Sequence, residues 1–347
     1  MNDKGEGEIL FERRSNVGII TLNRPSTLNA LNHDMIRAIS RTLSEWERDD
    51  SVRSVIIKGN GRAFCAGGDI VAVYKAVRAG ERPIGFFADE YRLNAAIARF
   101  PKPFVALIDG IVMGGGVGVS FHGSHRVLTE KALFAMPEVG IGFYPDIGGS
   151  YLLSRLPNNY GMYLALTGNR IGHDEAMQVG LGTHMVDSDD LGGVLDELVE
   201  TGDPDSSLTR NASGQAVEEN AKLSDIERHF SRDTLDACIE SLKEAASRGD
   251  EFAEETLEII EKRSPTSLYV TFEQVRRGAS LSMDDCVRME YRITNRMLDG
   301  HDFYEGVRAA LIDKTQAPVW EPGLRKEIDP ATVKSYFAQL GEEELQL

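Results

Sequence analysis

The chain has 347 residues, of which 41% are hydrophobic and 27% charged, and its formal net charge is −17. This length is enough for one large domain or two ordinary ones with a sizeable core. No apolar run approaches the roughly 20 residues that a membrane span needs. The negative charge disfavours nonspecific binding to nucleic acid or to an anionic membrane, because phosphates would be repelled. We therefore expect neither a nucleic-acid nor a membrane partner.

Cysteine and histidine positions predict no metal site. Three cysteines at wide spacing fit neither a disulfide framework nor a zinc site, and His122 and His125 have no partner ligands nearby in the sequence. The first residues lack the apolar core of a signal peptide. We expect a reducing compartment, namely the cytoplasm, or the mitochondrial matrix if a leader has been removed.

The first hundred residues alternate strand and helix patterns. Two strands, 8–13 and 17–22, are predicted around a Ser15-Asn16 turn. Apolar residues at helical spacing predict an amphipathic helix over 32–48, with Asn32 as its N-cap. Further along, strands are predicted over 52–57 and 104–108, with a helix over 83–99 between them.

Two glycine-rich loops each lie between a predicted strand and a predicted helix. One reads Ala66-Gly67-Gly68-Asp69 and the other Gly114-Gly115-Gly116. Each loop can present a backbone N–H at a helix start, where it would stabilise a developing oxyanion. Glycines there also permit tight packing of helix on strand, and the sequence alone leaves both interpretations open. The run from Gly114 to Gly118 does not match the dinucleotide-binding fingerprint.

Two carboxylates follow in an apolar, glycine-rich setting. Glu138 stands between Met136-Pro137 and Val139, which allows a raised pKa, although a solvated acid at a strand end is the plainer interpretation. Asp146 precedes Ile147-Gly148 and has the pattern of a helix N-cap, the interpretation that the sequence favours. An ionised carboxylate there would also suit a group that accepts a hydrogen bond from a substrate hydroxyl or a water. Backbone donors close to paired carboxylates suggest acyl chemistry.

The second half of the chain has a helical pattern. Residues 202–216 are polar and rich in turn-forming residues, so they are predicted to be a connecting loop between two domains. The predicted domains are an α/β core over 1–201 and a helical region over 217–347. Within the latter, the spacing predicts five helices: 222–230, 232–247, 249–263, 265–277 and 283–298.

Taken together, these motifs resemble the enoyl-CoA hydratase/isomerase (crotonase) superfamily. The resemblance implies an α/β fold, a spiral of ββα units followed by C-terminal helices. It also implies that the N–H groups of Gly68 and Gly115 bind the thioester carbonyl of an acyl-CoA. The segments that carry it are Leu22–Pro25 with Leu28–Leu31, Ala63–Asp69, Gly114–Gly116 and Met136–Glu138.

The resemblance also implies the substrate. Stretches 23–30 and 62–66, including Ala66, would line the CoA site. CoA would be part of the substrate, so no separate cofactor is expected.

One departure from the superfamily pattern changes the implied reaction. Hydratases of this superfamily use two glutamates, and the position of the first is Gly118 here, while Glu138 matches the second. Asp146 stands where hydratases usually have glycine. This combination resembles the branch that hydrolyses 3-hydroxyisobutyryl-CoA in valine-type branched-chain catabolism. Further matches to that branch are the run 134–156, Glu90-Tyr91, 264–267, Cys286 with Met289-Glu290, and 302–314.

The resemblance assigns roles to the carboxylates. Glu138 would attack the thioester, giving a mixed anhydride, or would act as the general base for water. Asp146 would bind the substrate 3-hydroxyl or orient the water, and Glu90 would lie in the acyl pocket. Two alternatives stay open: a hydratase or isomerase that uses Glu138 alone or with a displaced acid, and a non-catalytic acyl-CoA-binding protein. The oligomeric state is also open, with a homo-oligomer as one outcome.

Overall fold

The computed structural model describes residues 7–212 and 222–347. Within these ranges the chain forms two compact units. The first comprises the described parts of Met1–Asp69, Arg92–Phe134 and Ile171–Glu219, and the second those of Ile70–Tyr91, Ala135–Arg170 and Asn220–Leu347. None of the helices in the described ranges has both the length and the apolar character that a membrane crossing requires.

The β-structure of the described residues lies in the first unit, except for the last residue of the eighth strand. A six-stranded sheet has the order β1-β2-β3-β5-β7-β10, and a smaller sheet has the order β4-β6-β8-β9. The strands are β1 (Ile9–Arg14), β2 (Val17–Leu22), β3 (Ser54–Gly59), β4 (Ala63–Cys65), β5 (Phe104–Ile108), β6 (Ile111–Met113), β7 (His125–Leu128), β8 (Leu133–Ala135), β9 (Ile171–Gly172) and β10 (His184–Met185).

The larger sheet forms the core of the first unit. β1 and β2 are antiparallel and close on Arg14 opposite Val17, which confirms the predicted Ser15-Asn16 turn. The remaining pairs of this sheet are parallel. Parallel strands are covered on both faces and therefore consist of nearly continuous apolar residues. The six residues of β2 and the five of β5 are all buried accordingly.

The helices occur in both units. The helix predicted over 32–48 is confirmed, and the Asn32 side chain accepts a hydrogen bond from the Met35 N–H, as an N-cap should. The helices are α1 (His33–Arg48), α2 (Ile70–Arg78), α3 (Ile84–Ala98), α4 (Gly115–Gly118), α5 (Gly149–Leu153), α6 (Tyr160–Thr167), α7 (His173–Gln178), α8 (Leu191–Thr201), α9 (Pro204–Arg210), α10 (Leu223–Phe230), α11 (Leu235–Ala246), α12 (Glu251–Glu261), α13 (Pro265–Gly278), α14 (Met283–Met297), α15 (Asp302–Val307) and α16 (Pro330–Ser335).

The helical pattern of the second half is confirmed, and α10 to α14 match the five predicted helices closely. The connecting loop predicted over 202–216 is wrong for 204–210, which form α9. Asp203 accepts a hydrogen bond from the Ser206 N–H and Pro204 occupies the first turn, two features that start a helix although they resemble turn chemistry in sequence. Residues 213–216 lie outside the described residues.

The two compact units differ from two consecutive domains. The second unit contains 70–91 and 135–170 as well as the C-terminal helices, so each unit draws on separated segments of the chain. The boundary at 202–216 stays a prediction.

An aromatic cluster and close backbone contacts fix the second unit around a 3₁₀ helix, Glu138–Ile141. The ring of Phe143 lies 5.7 Å from that of Phe87 and 5.0 Å from that of Phe303. Gly142 has φ of 69°, and a Cβ atom there would lie 2.1 Å from the Asp302 carbonyl oxygen. Only glycine therefore lets the end of this 3₁₀ helix approach α15 so closely.

Candidate active site

The two glycine loops lie side by side in the first unit. β4 and β6 are parallel neighbours, with Ala63 opposite Ile111, so their carboxyl ends share one edge of the smaller sheet. A Cβ atom built on Gly67 would lie 3.9 Å from the Gly115 nitrogen. The topology thus brings together two loops that are almost 50 residues apart in sequence.

The predicted oxyanion donors are unused backbone groups. The N–H groups of Ala66 and Asp69 donate to carbonyls of the 28–31 segment at 2.9 and 2.8 Å. Within the described residues, the N–H groups of Gly68 and Gly115 donate to no protein acceptor. Gly115 begins α4, and the first N–H groups of a helix have no partner inside the helix. Gly68 and Ala66 are half-buried, so part of this loop stays accessible.

The glycines of the second loop also serve packing. A Cβ atom on Gly116 would lie 2.3 Å from the Cys65 carbonyl oxygen, so α4 can approach β4 only with glycine here. The packing interpretation therefore holds for Gly116, while the oxyanion interpretation stays a prediction for Gly68 and Gly115. Gly118 ends the four-residue helix α4, which contains no ionisable side chain.

Glu138 is a buried acid and not the solvated strand-end residue that the sequence favoured. It is the first residue of the 3₁₀ helix and is 7% exposed. Its Oε2 atom is buried and has no hydrogen-bond partner among the described residues. Burial, followed by the charges of Asp146 and Glu90, raises the pKa of Glu138 well above its usual value.

Asp146 is not a helix cap. The N-cap of α5 is Gly148, not Asp146. Asp146 is 5% exposed, and its Oδ2 atom lies 2.7 Å from the hydroxyl of Tyr91. Burial raises the pKa of Asp146 to about 7, and the hydrogen bond with Tyr91 offsets part of the rise. The next residue, Ile147, has φ of 55°, which a β-branched residue rarely adopts.

Glu90 completes a group of acids in the second unit. It lies on α3 and is 2% exposed, and its Oε1 atom is buried without a partner among the described residues. Burial, and then the charge of Asp146, raises its pKa well above the usual value. The structure therefore brings Glu90, Glu138 and Asp146 close enough to repel one another, although the sequence separates them widely. Repulsion between such acids favours a state in which at least one is protonated.

The sequence predicts no role for three hydroxyl groups near Asp146, those of Tyr91, Thr294 and Tyr144. The Thr294 hydroxyl, on α14, lies 2.6 Å from the Tyr91 hydroxyl and 2.8 Å from that of Tyr144. Tyr144 donates to the backbone carbonyl of Glu290 at 2.5 Å. Burial and the charge of Asp146 raise the pKa values of both tyrosines well above the usual value, so both are protonated at neutral pH.

The sequence links Glu290 to the family by resemblance alone. In the structure, its carboxyl group holds the turn around Gly148. Its carboxyl group accepts hydrogen bonds from the N–H groups of Gly148 and Ser150 at 2.7 and 2.9 Å, and from the Ser150 hydroxyl. It thereby fixes the turn that follows Asp146. Burial raises its pKa to about 8 although these three donors favour the charged form. The available signal was a glutamate on the buried face of an amphipathic helix, where charges are rare.

The described residues contain no group of three or more histidine, cysteine, aspartate or glutamate side chains placed to hold a metal ion. All three cysteines are buried thiols outside any disulfide. The second unit contains the buried acids, and the first unit contains the unused backbone donors.

Known proteins resemble this chain over nearly its whole length. The sequence model of the enoyl-CoA hydratase/isomerase family matches residues 17–337. The chain is 45% identical to "3-hydroxyisobutyryl-CoA hydrolase, mitochondrial" of Rattus norvegicus, over 98% of this chain and 91% of the relative. It is 43% identical to the protein of that name from Homo sapiens, over 98% and 90%.

A solved structure confirms the predicted fold. The crystal structure of a carnitinyl-CoA dehydratase from Mycobacterium thermoresistibile has a TM-score of 0.91 and 41% identity, covering 98% of this chain and 99% of that one. The α/β fold with C-terminal helices predicted from the resemblance is therefore confirmed. The chain belongs to the enoyl-CoA hydratase/isomerase family.

Proposed function

We propose that this protein hydrolyses the thioester of 3-hydroxyisobutyryl-CoA, or of a similar short 3-hydroxyacyl-CoA, to the free acid and CoA. Near-full-length identity of 43–45% to relatives that carry the name of this hydrolase supports the substrate. The observation that carries the chemistry is Glu138, a buried carboxyl with an unpartnered oxygen. Such a group is poorly solvated and therefore reactive toward an electrophilic carbonyl carbon.

The reaction begins at the thioester carbonyl. The Glu138 carboxylate attacks this carbon, and the N–H groups of Gly68 and Gly115 stabilise the oxyanion that forms. The C–S bond then breaks, CoA leaves as the thiolate, which takes up a proton, and a mixed anhydride remains. Water cleaves the anhydride and regenerates Glu138. In the other route, Glu138 removes a proton from water, which attacks the thioester directly.

The remaining acids select the acyl group. In this proposal Asp146 binds the 3-hydroxyl of the substrate, Glu90 lines the acyl pocket, and Ala66 belongs to the CoA-binding stretch. A site built to hydrogen-bond a hydroxyl discriminates against the analogue without it, by about 100-fold or more. We expect slow turnover of isobutyryl-CoA, and an Asp146→Ala variant should lose most of this discrimination by becoming slower on the hydroxylated substrate.

Hydration of an enoyl-CoA is the second candidate. It is favoured by similarity to a solved structure of an enoyl-CoA hydratase from Rhodobacter sphaeroides, which is 36% identical with a TM-score of 0.90. Against it, Gly118 occupies the position of the first hydratase glutamate, and α4 offers no other acid. Addition of water across a double bond with two acids is therefore disfavoured here.

One panel separates these activities. Release of CoA, followed with a thiol reagent, is measured on 3-hydroxyisobutyryl-CoA, 3-hydroxypropionyl-CoA, isobutyryl-CoA and an enoyl-CoA, alongside loss of enoyl absorbance. We expect thiol release from the two hydroxylated substrates and its loss in Glu138→Gln. Loss of enoyl absorbance without thiol release would instead show a hydratase. Tight acyl-CoA binding, with neither activity in the parent protein, would show a non-catalytic binding protein.

Compartment and assembly belong to the same proposal. The relatives are named as mitochondrial proteins, which favours the mitochondrial matrix over the cytoplasm for this chain. A homo-oligomer stays a prediction, and sedimentation of the purified protein would test it.

A further inference from the structure

Four buried hydrogen-bond contacts run in series from Asp146 to the backbone of α14. Asp146 Oδ2 lies 2.7 Å from the Tyr91 hydroxyl, which lies 2.6 Å from the Thr294 hydroxyl. Thr294 lies 2.8 Å from the Tyr144 hydroxyl, which lies 2.5 Å from the Glu290 carbonyl oxygen. We call Tyr91, Thr294 and Tyr144 the hydroxyl chain. All three are fully buried, so the protons in these contacts come from the groups themselves.

When Asp146 is ionised, there are fewer protons than hydrogen-bond contacts. Three hydroxyl protons must serve four contacts. Tyr91 donates to the carboxylate and Tyr144 to the carbonyl, so Thr294 can give its proton to only one tyrosine. The other contact then holds two oxygens at 2.6 or 2.8 Å with no hydrogen between them. In a buried site such a contact is as unfavourable as an unmade hydrogen bond.

When Asp146 is protonated, four protons are available for the four contacts. The carboxyl donates to Tyr91, Tyr91 to Thr294, Thr294 to Tyr144, and Tyr144 to the Glu290 carbonyl. Each of the four contacts then holds one proton, and all four donors point in the same direction along the chain. Tyr91 and Tyr144 also approach each other at 3.3 Å, a longer contact that changes the count in neither state.

The charges around Asp146 favour the same state. The acids that interact with it are Glu90, Glu138 and Glu290, and its charge raises the pKa of each. No cationic side chain of the described residues lowers the pKa of Asp146, which burial raises to about 7. An ionised Asp146 would therefore oppose ionisation of these three neighbours, and no cationic side chain among the described residues offsets its buried charge.

We propose that Tyr91, Thr294 and Tyr144 are positioning residues that keep Asp146 protonated in the resting protein. Asp146 then uses its proton toward Tyr91 and presents its other oxygen as a neutral acceptor. The catalytic consequence rests on the proposed function. A neutral Asp146 removes a charge that opposes ionisation of Glu138, the group that must be a carboxylate to attack, and it still accepts a hydrogen bond from the substrate 3-hydroxyl.

The test is the titration of Asp146 itself. Full-length protein labelled with ¹³C in the aspartate carboxyl groups is titrated by NMR without ligand, and Asp146→Asn identifies the resonance. In Thr294→Val two hydroxyl protons serve two contacts, so the ionised form loses its penalty. The midpoint should fall by about one pH unit or more, while Thr294→Ser keeps the hydroxyl and should retain the parent midpoint. Equal midpoints in Thr294→Val and the parent would overturn the proposal.

Two further variants cover a failure of Thr294→Val to fold. Tyr144→Phe removes one proton and two contacts, so two hydroxyl protons again serve two contacts and the midpoint should fall as in Thr294→Val; an unchanged midpoint counts against the hydroxyl chain. Asp146→Asn mimics the neutral acid, because its amide can donate to Tyr91. Its stability relative to the parent should therefore rise as pH increases, and a fall would contradict a protonated Asp146. These measurements need no turnover, so they stand even if the proposed hydrolase activity fails.

Discussion

The two units carry candidate functional groups of different kinds. The first offers backbone N–H groups of Gly68 and Gly115, and the glycines matter for the side chain that they lack. The second offers buried side-chain acids, Glu90, Glu138 and Asp146. Backbone donors need only a correct local path of the chain, whereas buried acids need an environment that several distant segments supply. The two parts should therefore fail differently when they are altered.

Replacing the reactive acid should give the largest effect on activity with little effect on folding. Glu138→Gln keeps the shape but removes the nucleophile or base, so kcat/KM for CoA release should fall by about 10³-fold or more. Because the buried Oε2 has no partner, the fold loses no hydrogen bond there. The checks are thiol release and urea unfolding, with Glu258→Gln on an exposed part of α12 as the control.

Retention of activity in Glu138→Gln, with the fold intact, would remove Glu138 from the mechanism. It would then leave the second unit as a binding region only.

Adding one methyl group to the first unit should instead damage folding and activity together. The new Cβ of Gly116→Ala would lie 2.3 Å from the Cys65 carbonyl oxygen, a backbone atom that cannot move aside alone. The expected loss in free energy of unfolding is about 3 kcal/mol. Gly193→Ala in α8 is the matched control, since nothing lies within 4 Å of the added atom. The control should gain about 0.5–1 kcal/mol.

A stable, fully active Gly116→Ala protein would show that the loop tolerates displacement. The packing interpretation of this glycine would then be wrong.

The same difference explains what the sequence could predict. Glycine loops, the Asn32 cap and the helices α10 to α14 depend on local patterns, and the structure has them where the sequence places them. The environment of Asp146 is not local, since Tyr91 and Thr294 are 55 and 148 residues away in the sequence. For that reason the sequence favoured a cap for Asp146 and a solvated acid for Glu138, and both interpretations are wrong.

Helix α9 shows a second limit. Asp203, Pro204 and Ser206 are equally typical of turns and of helix starts. Only the packing of Leu208, which is fully buried in the core of the first unit, decides in favour of a helix.

Glu290 should matter less for activity than Glu138 and more for folding. Its carboxyl accepts hydrogen bonds from two N–H groups and one hydroxyl of the Gly148–Ser150 turn. The Glu290→Gln amide has one oxygen, so one buried N–H would face a donor, at a cost of about 1–3 kcal/mol. Urea unfolding measures the loss, and a larger KM would report displacement of Asp146. Unchanged stability would mean that the turn holds without Glu290.

The most gradual effect is a dependence of stability on pH, which is spread over several pH units. Burial raises the pKa of Asp146 from 3.8 to about 7 and that of Glu290 from 4.5 to about 8. A raised pKa means that the folded state binds the proton more tightly than the unfolded chain. This contribution to stability is fully present below the unfolded pKa values and is lost as pH rises through the folded ones.

The free energy of unfolding should therefore decline toward pH 8, by on the order of a few kcal/mol in all. Urea titrations at a series of pH values measure the decline. Each variant removes one titrating group. Asp146→Asn should therefore flatten the decline at lower pH, and Glu290→Gln should flatten it at higher pH. In the first unit, the acids with shifted pKa values are exposed or half-buried and shifted downward, as Glu130 and Glu197 are. Ionisation there favours folding, so a stability that rises toward pH 8 would mean that such surface acids outweigh the buried pair.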